Sequence, residues 1–313
     1  MSNVSVIMAN KNNCKTLSFA IESILLDLDN EDEFIIIDDG STDDSLRILK
    51  YYEDLDSRIK LYTNSHSLGL PYSLNLAVDK SSFNLICRMD ADDINILGRV
   101  SELKKVMKDN IFSVVGTFAE SFSNEGDRLQ TMSVPLGMEE INATMVFDSA
   151  FIHPSVIFNK EDFLSIGGYN TDFVRCQDYE LWSKFIQNGF KVCNLRFVGL
   201  KYRLSPHQNR DKINERFKYS NLTRKSFFQF ATSNNKDSLS DLHCFISGDV
   251  KKIKSLSCIN LMELARAYFL MEIKVDYKLI LKIILRKSLK RLYLKPHYLF
   301  VFWSSSLFFY FRR

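Results

Sequence analysis

Three carboxylates stand within four positions of one another, at Asp90, Asp92 and Asp93 in the stretch ICRMDADDI. A short apolar run precedes them, so they follow the end of a predicted buried strand. Carboxylates this close repel one another unless a positive partner is present. Mg²⁺ and Mn²⁺ prefer carboxylate oxygens, and Mg²⁺ usually binds through one or two carboxylates together with substrate phosphates. We therefore expect Asp90 and Asp92 to hold a divalent cation; the alternative is a solvated acidic loop in which Asp93 caps the next helix.

A second acidic pair, Asp38 and Asp39, ends another apolar run in FIIIDDGSTDDS. At a strand end these carboxylates could accept hydrogen bonds from the N–H of a pyrimidine and from ribose hydroxyls, but the same residues also suit a tight turn. Thr42 or Asp43 is predicted as the N-cap of the following helix. Arg88 also has two interpretations: an ion-pair partner for a nearby aspartate, or a charge-assisted contact to a phosphate.

Strands and helices alternate along residues 4–89, and these elements must position the polar side chains. The runs VSVIMA, EFIIID, RIKLYTN and FNLICRM indicate strands, while helical spacing between about Thr16 and Leu28, and Pro71 at a first turn, indicate helices. Such alternation is typical of right-handed βαβ units and an α/β fold with a mostly parallel sheet. Ligands bind beyond the carboxyl ends of such strands. The residues expected to share one cleft there are Asn10, Asp38, Asp39, Asp90 and Asp92.

The pattern after the acidic cluster is less regular. We predict a helix at about 100–107, a strand at about 112–122 with a turn at 124–126, and another strand at HPSVIF. DYELWSKFIQNGF predicts an amphipathic helix that ends at Gly189, and KVCNLRFVGLKYRL is expected to close the sheet with short strands. Beyond about Arg210 the pattern changes to long helices, so the expected domains are 1–210, with the sheet, and 211–313, a helical C-terminal region.

The composition, with 46% apolar and 25% charged residues in a chain of 313, is that of a folded protein. The net charge of +3 is unevenly distributed, because nine cationic and no acidic residues lie from Lys278 onward, which leaves −6 for the rest. A basic tail on an acidic body indicates an anionic surface as partner. The six cysteines show neither paired nor metal-ligand spacing, which favours reduced thiols in the cytoplasm.

The tail combines a predicted basic amphipathic helix from Lys278 to Leu292 with an aromatic segment from Tyr298 to Phe311. That segment has fourteen residues, whereas a spanning helix needs about 17–25. We expect it to lie in the membrane interface, peripheral on the inner face of the cell membrane, with Lys and Arg on anionic lipid. The alternative is that it packs as core. Nucleic-acid binding is not expected, because the aromatic cluster suits lipid better than base stacking or groove reading.

Five segments of the chain occur in the order expected of family 2 glycosyltransferases: VSVIMANKN, FIIIDDGSTDDS, LGLPYSLNLA, ICRMDADDI and RCQDYELWSKF. They cover about residues 3–205, and the chain resembles in particular the bacterial enzymes that build O-antigen, capsule or exopolysaccharide. The resemblance implies a GT-A fold, Mn²⁺ or Mg²⁺ as cofactor, and inverting transfer of a sugar from a nucleotide-sugar donor to a saccharide acceptor. We expect the donor to be a UDP-sugar and the acceptor to be lipid-linked.

The resemblance also assigns roles to individual residues. Asp38 and Asp39 match the pair that contacts the nucleoside, Asp90 and Asp92 match the metal and diphosphate motif, and Asp178 matches the general base. Asn10 and Arg88 complete the predicted nucleotide site. The chain departs from the family where Ala9 and Lys11 replace a usual proline and aromatic residue, where Leu97 replaces a proline, and where Gln177 replaces the acid before the base.

His207, in the segment KYRLSPHQ, has two interpretations: a further metal ligand or phosphate contact, or a solvated side chain. Two other functions remain as alternatives. A nucleotidyltransferase is disfavoured because MANKNN lacks the glycine-rich loop that would hold a triphosphate. A catalytically inactive, membrane-tethered scaffold is disfavoured because Asp90, Asp92 and Asp178 are all present.

Overall fold

The computed structural model describes residues 2–123, 130–146, 148–204 and 210–234; for 143, 210–214, 228 and 231–234 it describes the backbone only. Its first half contains four parallel strands: β1 (Val4–Asn10), β2 (Glu33–Asp38), β3 (Ile59–Thr63) and β4 (Leu85–Arg88), in the spatial order β3-β2-β1-β4. The helices α1 (Leu17–Leu25), α2 (Ser45–Leu55) and α3 (Leu70–Lys80) connect them. The predicted βαβ alternation is confirmed.

Burial explains why these segments form strands and helices. All six residues of β2 are buried, as expected for a central strand of a parallel sheet covered on both faces. On α1 the buried residues recur at helical spacing, which turns one apolar stripe towards the sheet: Leu17, Ala20, Ile21 and Ile24. The core therefore lies against the sheet, and the polar residues that follow each strand are left at its carboxyl edge.

The second half extends the same sheet with shorter and mixed strands. In chain order it comprises β5 (Ile94–Asn95), α4 (Arg99–Met107), β6 (Val114–Phe122), β7 (Gln130–Met132), α5 (Met138–Met145), β8 (Ile157–Asn159), α6 (Lys160–Ser165), α7 (Gln177–Gln187), β9 (Val192–Arg203) and α8 (Arg210–Asn234). The full strand order is β3-β2-β1-β4-β8-β6-β9-β5, with β7 beside β6. β8 is antiparallel to both β4 and β6, whereas β6 and β9 run parallel.

Three local predictions differ from the structure. HPSVIF is a 3-10 turn at His153–Ser155 before a short strand, because Pro154 has no N–H to donate to a sheet. The segment predicted as short strands is one twelve-residue strand, β9, with register shifts opposite Thr117, Phe118 and Ala119. The N-cap position of α2 is Asp44 rather than Thr42 or Asp43. Asp43 instead accepts hydrogen bonds from the N–H groups of Ser45 (2.9 Å) and Cys14 (3.1 Å), which ties the helix to the loop after β1.

The first part of α8 packs on the loop before α7. The rings of Phe173 and Tyr219 lie 5.2 Å apart, and Cys176 Sγ lies 3.5 Å from the carbonyl oxygen of Arg216. Among the described residues, no helix is both long enough and apolar enough to cross a bilayer. The turn at 124–126, His207 and the basic aromatic tail lie outside the described residues, and the domain boundary at about 210 stays a prediction.

Candidate active site

A cleft of about 270 Å³ opens at the carboxyl edge of β1, β2 and β4. It brings together side chains from widely separated parts of the chain, as the strand-end argument predicts. The polar and charged residues that line it are Asn10, Lys11, Asn13, Asp39, Ser67, Asp90 and Asp92. Parallel pairing explains the arrangement, because Asn10 is in register with Asp38, and Ile7 with Arg88, so the residues just beyond these pairs meet at one edge.

Asp38 lies below the cleft rather than on its surface. It is 2% exposed, and its carboxylate accepts hydrogen bonds from Asn10 Nδ2 (2.9 Å), Ser41 Oγ (2.6 Å) and the Ser41 N–H (3.0 Å). These contacts fix the side chain of Asn10 and the turn that follows β2. Asp38 thus supports the cleft floor in this structure, and its predicted contact to a nucleoside stays a prediction.

Asp39 is surrounded by five donors from the chain itself. Its Oδ1 accepts from the Leu68 N–H (2.8 Å), Asn64 Nδ2 (2.8 Å) and Ser73 Oγ (3.0 Å), and its Oδ2 accepts from Ser67 Oγ (2.7 Å) and the Gly69 N–H (3.0 Å). Burial alone would raise the pKa of Asp39, but these hydrogen bonds outweigh it and lower the pKa to about 2. The carboxylate therefore holds the 64–69 loop against the cleft, and a ligand N–H would have to share it with these donors.

The three carboxylates after β4 form the acidic cluster: one oxygen each of Asp90, Asp92 and Asp93, all within 4.8 Å of one another. Asp93 does not cap α4, whose N-cap position is Gly98. Instead it is 1% exposed, and its Oδ1 accepts from the N–H of Arg203 at 2.8 Å. Its Oδ2 is buried without a hydrogen-bond partner in the part of the chain that the structure describes. A buried carboxylate oxygen with no donor, beside two further carboxylates, fits a divalent cation.

Electrostatics in the acidic cluster point the same way. Burial, followed by the charge of Asp90, raises the pKa of Asp93 to about 8, and the same two causes raise the pKa of Asp92. Three carboxylates packed this closely disfavour one another's ionised form. A bound cation would relieve this repulsion, so Asp90, Asp92 and Asp93 are the residues that could hold Mn²⁺ or Mg²⁺. The sequence suggests Asp93 only as a helix cap, and its position next to Asp92 is the one signal in the sequence for a role in the cluster.

Arg88, the last residue of β4, is 1% exposed, and its Nη2 lies 2.5 Å from Asp90 Oδ1. The ion-pair interpretation of Arg88 is therefore the one realised in this structure. Its Nε and Nη1 are also buried, and neither has a hydrogen-bond partner among the described residues.

Asp178, the predicted base, is the second residue of α7 and is partly buried. The helix begins abruptly because Cys176 adopts a left-handed conformation (φ 55°), which non-glycine residues rarely do. Burial raises the pKa of Asp178, and the N–H of Tyr179 and the charge of Arg88 oppose that rise. A carboxyl with a raised pKa suits a general base. Asp178 does not line the cleft described above.

A buried pair that sequence reasoning did not single out lies close to Arg88. His153 Nε2 and Tyr169 Oη are 2.8 Å apart in a hydrogen bond, and the His153 ring also packs edge-on against Trp182 of α7, with 6.0 Å between centroids. Burial, followed by the charge of Arg88, lowers the pKa of His153 well below its usual range. His153 is therefore neutral and acts as a hydrogen-bonding core residue. Its only sequence signal is a histidine inside an apolar run.

The model of the family described as "Glycosyl transferase family 2" matches residues 5–166. Among curated proteins, the chain is 30% identical to the O-antigen biosynthesis glycosyltransferase WbnJ of Escherichia coli over 74% of this chain and 91% of that protein. It is 31% identical to UDP-Gal:alpha-D-GlcNAc-diphosphoundecaprenol beta-1,3-galactosyltransferase of Escherichia coli, over 60% of this chain and 69% of that one.

Solved structures with this fold include S. aureus TarS 1-349 in complex with UDP-GlcNAc, with a TM-score of 0.57, 13% identity and coverage of 92% of both chains. Against a longer TarS chain, the match spans only 55% of its length. The mannosyltransferase PcManGT from Pyrobaculum calidifontis, in complex with GDP-Man and Mn²⁺, gives a TM-score of 0.57 at 16% identity, over 96% of this chain and 83% of that one. At these identities the likeness shows the fold alone, and it confirms the predicted GT-A architecture.

Proposed function

The chain belongs to the family 2 glycosyltransferases, and we propose that it transfers a sugar, with inversion, from a UDP-sugar to a lipid-linked saccharide in the synthesis of a bacterial surface polysaccharide. The observation that carries the proposal is the acidic cluster at the edge of a strand-end cleft, where the buried Asp93 Oδ2 has no hydrogen-bond donor among the residues that the structure describes. A nucleotide diphosphate is the ligand that such a cleft suits, because a divalent cation joins carboxylates to phosphates.

The choice of donor and acceptor draws support from relatives. The galactosyltransferase of Escherichia coli is named for a UDP-sugar donor and a diphosphoundecaprenol-linked acceptor, and one structural neighbour is in complex with UDP-GlcNAc. A lipid-linked acceptor also gives the predicted basic aromatic tail a purpose, since enzyme and acceptor would then share the cytoplasmic face of the membrane. We include this peripheral location in the proposal.

In the proposed mechanism, Asp90 and Asp92 would hold Mn²⁺ or Mg²⁺, with Asp93 as a further ligand. When bound, the cation supplies positive charge that stabilises the leaving diphosphate. Asp39 keeps the 64–69 loop in place beside the nucleotide, while Asp38 and Asn10 fix the floor beneath it. Asp178 takes the proton of the acceptor hydroxyl as its oxygen attacks the anomeric carbon. A single displacement of this kind inverts the anomeric centre.

The test is a panel of nucleotide-sugars, assayed for nucleotide-diphosphate release with and without Mn²⁺, in the presence of membrane extracts that contain lipid-linked saccharides. We expect one UDP-sugar to support metal-dependent release that the acceptor accelerates. Asp92→Asn should abolish it, because the cluster loses a charged ligand. Asp79→Asn is the matched control, since Asp79 is 73% exposed on α3 and forms an ion pair with Lys80.

Each alternative function has its own signature in this assay. Formation of a nucleotide-sugar from a nucleoside triphosphate and a sugar phosphate would identify a nucleotidyltransferase. Absence of turnover with every donor, together with intact nucleotide binding, would identify an inactive scaffold. Full activity of protein shown to be metal-free would mean that the acidic cluster does not hold a cation that the reaction needs.

A further inference from the structure

The turn at residues 167–169, between α6 and α7, is held by one side chain of α3. Asn75 Nδ2 donates to the carbonyl of Tyr169 at 2.9 Å, and the N–H of Tyr169 donates to Asn75 Oδ1 at 2.9 Å, although the two residues are 94 positions apart. Gly168 lies equally close, since a Cβ added to it would come 2.8 Å from Asn75 Oδ1, and its φ of 63° also favours glycine. The turn is thus fixed directly to α3.

The helix that carries Asn75 begins at the wall of the cleft. Its N-cap position is Gly69, which lines the cleft. Ser73, two residues before Asn75, donates from its Oγ to Asp39 Oδ1 at 3.0 Å, and Asp39 also holds the 64–69 loop. The first turns of α3 are therefore fixed to the cleft, and so is the turn that Asn75 holds.

Helix α7 contacts the same turn from the other side. Lys184 Nζ donates to the carbonyl of Gly168 at 2.5 Å. Tyr169 Oη forms a hydrogen bond of 2.8 Å with His153 Nε2, and the His153 ring packs on Trp182 of α7 with 6.0 Å between ring centroids. Two residues of α7 therefore rest, one directly and one through His153, on the turn that α3 holds.

Asp178 lies on this same helix. It is the second residue of α7, and Trp182 follows four residues later. Residues four apart lie one above the other on a helix, so Asp178 shares the face that packs on His153. The backbone hydrogen bonds of α7 make its eleven residues one rigid unit. A displacement at Trp182 and Lys184 therefore moves Asp178 as well.

We propose that Asn75 is a positioning residue for sugar transfer: through the 167–169 turn it fixes the start of α7, and with it the carboxylate of Asp178, relative to the nucleotide cleft. The inference rests on the proposed transferase function, in which Asp178 must reach the acceptor hydroxyl beside the donor sugar. A misplacement of about 1 Å can cost roughly 10²-fold in rate. Asn75 does not line the cleft, so it acts through these contacts rather than on the substrate.

The first measurement is amide hydrogen exchange in the full-length chain without substrates. Asn75→Asp keeps the size of the side chain, but it loses the N–H donors and sets a carboxylate against the carbonyl of Tyr169. We expect faster exchange across 167–180 and unchanged exchange in the 64–69 loop. Asn30→Asp is the matched control, because it adds the same charge at an exposed position before β2. Equal exchange across 167–180 in Asn75→Asp and wild type overturns the inference.

Kinetics separate a positioning role from a general loss of structure. We expect turnover to fall about tenfold to a hundredfold in Asn75→Asp, while the KM for the nucleotide-sugar and the affinity for UDP stay close to wild type. In an Asp178→Asn background the same substitution should cause little further loss, because the group that it positions is already gone. Equal losses of turnover in the two backgrounds would show that Asn75 does not act through Asp178, and would overturn the inference.

Lys184→Met tests the connection from the side of α7, and it decides the matter if Asn75→Asp does not fold. It removes the bond to the carbonyl of Gly168 and should give the same pattern of exchange and kinetics; wild-type exchange across 167–180 would overturn the inference. Glu180→Gln is the control, because it removes only the ion pair between Lys184 and Glu180 within α7. Failure of the transferase proposal is distinguishable, since wild type would then transfer no sugar while the exchange comparison could still be read.

Discussion

In the proposed reaction Asp178 acts on the acceptor side, where it takes the proton of the acceptor hydroxyl. Asp178→Asn keeps the shape of the side chain but cannot accept a proton, so we expect turnover to fall by roughly 10² to 10⁴. Affinity for the nucleotide should hardly change. Steady-state kinetics and UDP titration calorimetry measure the two quantities separately. Near-normal turnover would remove Asp178 from the role of base, and a large loss of UDP affinity would place it on the donor side.

Asp39 supplies a pH-dependent contribution to stability. Its pKa is lowered to about 2 in the folded protein, against about 3.9 in an unfolded chain. A lowered pKa stabilises the fold fully above the unfolded value, and the contribution is lost as the pH falls through about 4 towards 2. We expect Asp39→Asn to lower the free energy of unfolding by about 2 kcal/mol at pH 7.

Urea unfolding at pH 7 and at about pH 2.5 checks the Asp39 prediction, with Asp54→Asn on the exposed side of α2 as control. The difference between wild type and Asp39→Asn should shrink at the lower pH, while the control should match wild type at both. A difference that persists unchanged at low pH would show that the carboxylate charge is not what fastens the 64–69 loop.

The positions of residues were predictable from the sequence where they depend on strand ends, and not where they depend on contacts between distant segments. Asn10, Asp39, Asp90 and Asp92 reach one cleft because parallel strands end at one edge. The hydrogen bond between Asp93 and the N–H of Arg203 joins residues 110 positions apart, so no local pattern announces it. No local pattern announces the hydrogen bond between His153 and Tyr169 either, because both look like ordinary core residues in the sequence.

At the scale of elements, one buried ion pair fastens α4 to the first half of the sheet. Lys104 Nζ lies 2.9 Å from Asp29 Oδ2 and 3.1 Å from Asp32 Oδ1, and Asp32 also accepts the N–H of Val4 at 2.9 Å. The side chain of Lys104 is 2% exposed and that of Asp32 is 0% exposed. Lys104→Met would leave the Asp32 charge buried without its cation, so we expect a loss of about 3–5 kcal/mol in the free energy of unfolding.

The neighbouring lysine provides the control for this prediction. Lys105 pairs with Glu102 on the exposed face of the same helix, where both side chains are about half exposed. Pairs of this kind contribute at most about 1 kcal/mol, so Lys105→Met should change stability little. Urea unfolding of both variants measures the two free energies of unfolding. Equal losses would mean that the buried Lys104 pair stabilises the fold no more than the exposed Lys105 pair does.

Elements of the first half were predictable because helical and strand periodicities alternate cleanly there. The second half was less predictable because β8 is only three residues long and is inserted antiparallel between β4 and β6. Its place in the sheet depends on long-range pairing rather than on its own sequence. The single long β9 likewise depends on β6, whose pairing continues through two register shifts.

At the scale of the whole molecule, the open prediction concerns the basic aromatic tail. Full-length protein should pellet with vesicles that contain anionic lipid, and added salt should weaken this binding because surface charge attraction is screened. A chain truncated after Asp276 should stay in the supernatant, keep hydrolysis of the nucleotide-sugar, and lose most transfer to a lipid-linked acceptor. Neutral vesicles are the control. A full-length chain that ignores anionic vesicles, or a truncated chain that unfolds, would mean that the tail is core.

The two bonds from Arg203 at the end of β9, to Asp93 Oδ1 and to the carbonyl of Asp92, both 2.8 Å long, have a consequence for synthesis on the ribosome. Chains grow at about 5–20 residues per second. The time between the addition of Asp93 and the addition of Arg203 to the nascent chain is therefore on the order of ten seconds. During that interval the four parallel strands of the first half can pair. The acidic cluster, however, still lacks the two hydrogen bonds from Arg203. A product of premature termination before residue 203 would therefore contain the four parallel strands and all three carboxylates, but would lack the two bonds that hold Asp92 and Asp93 in place.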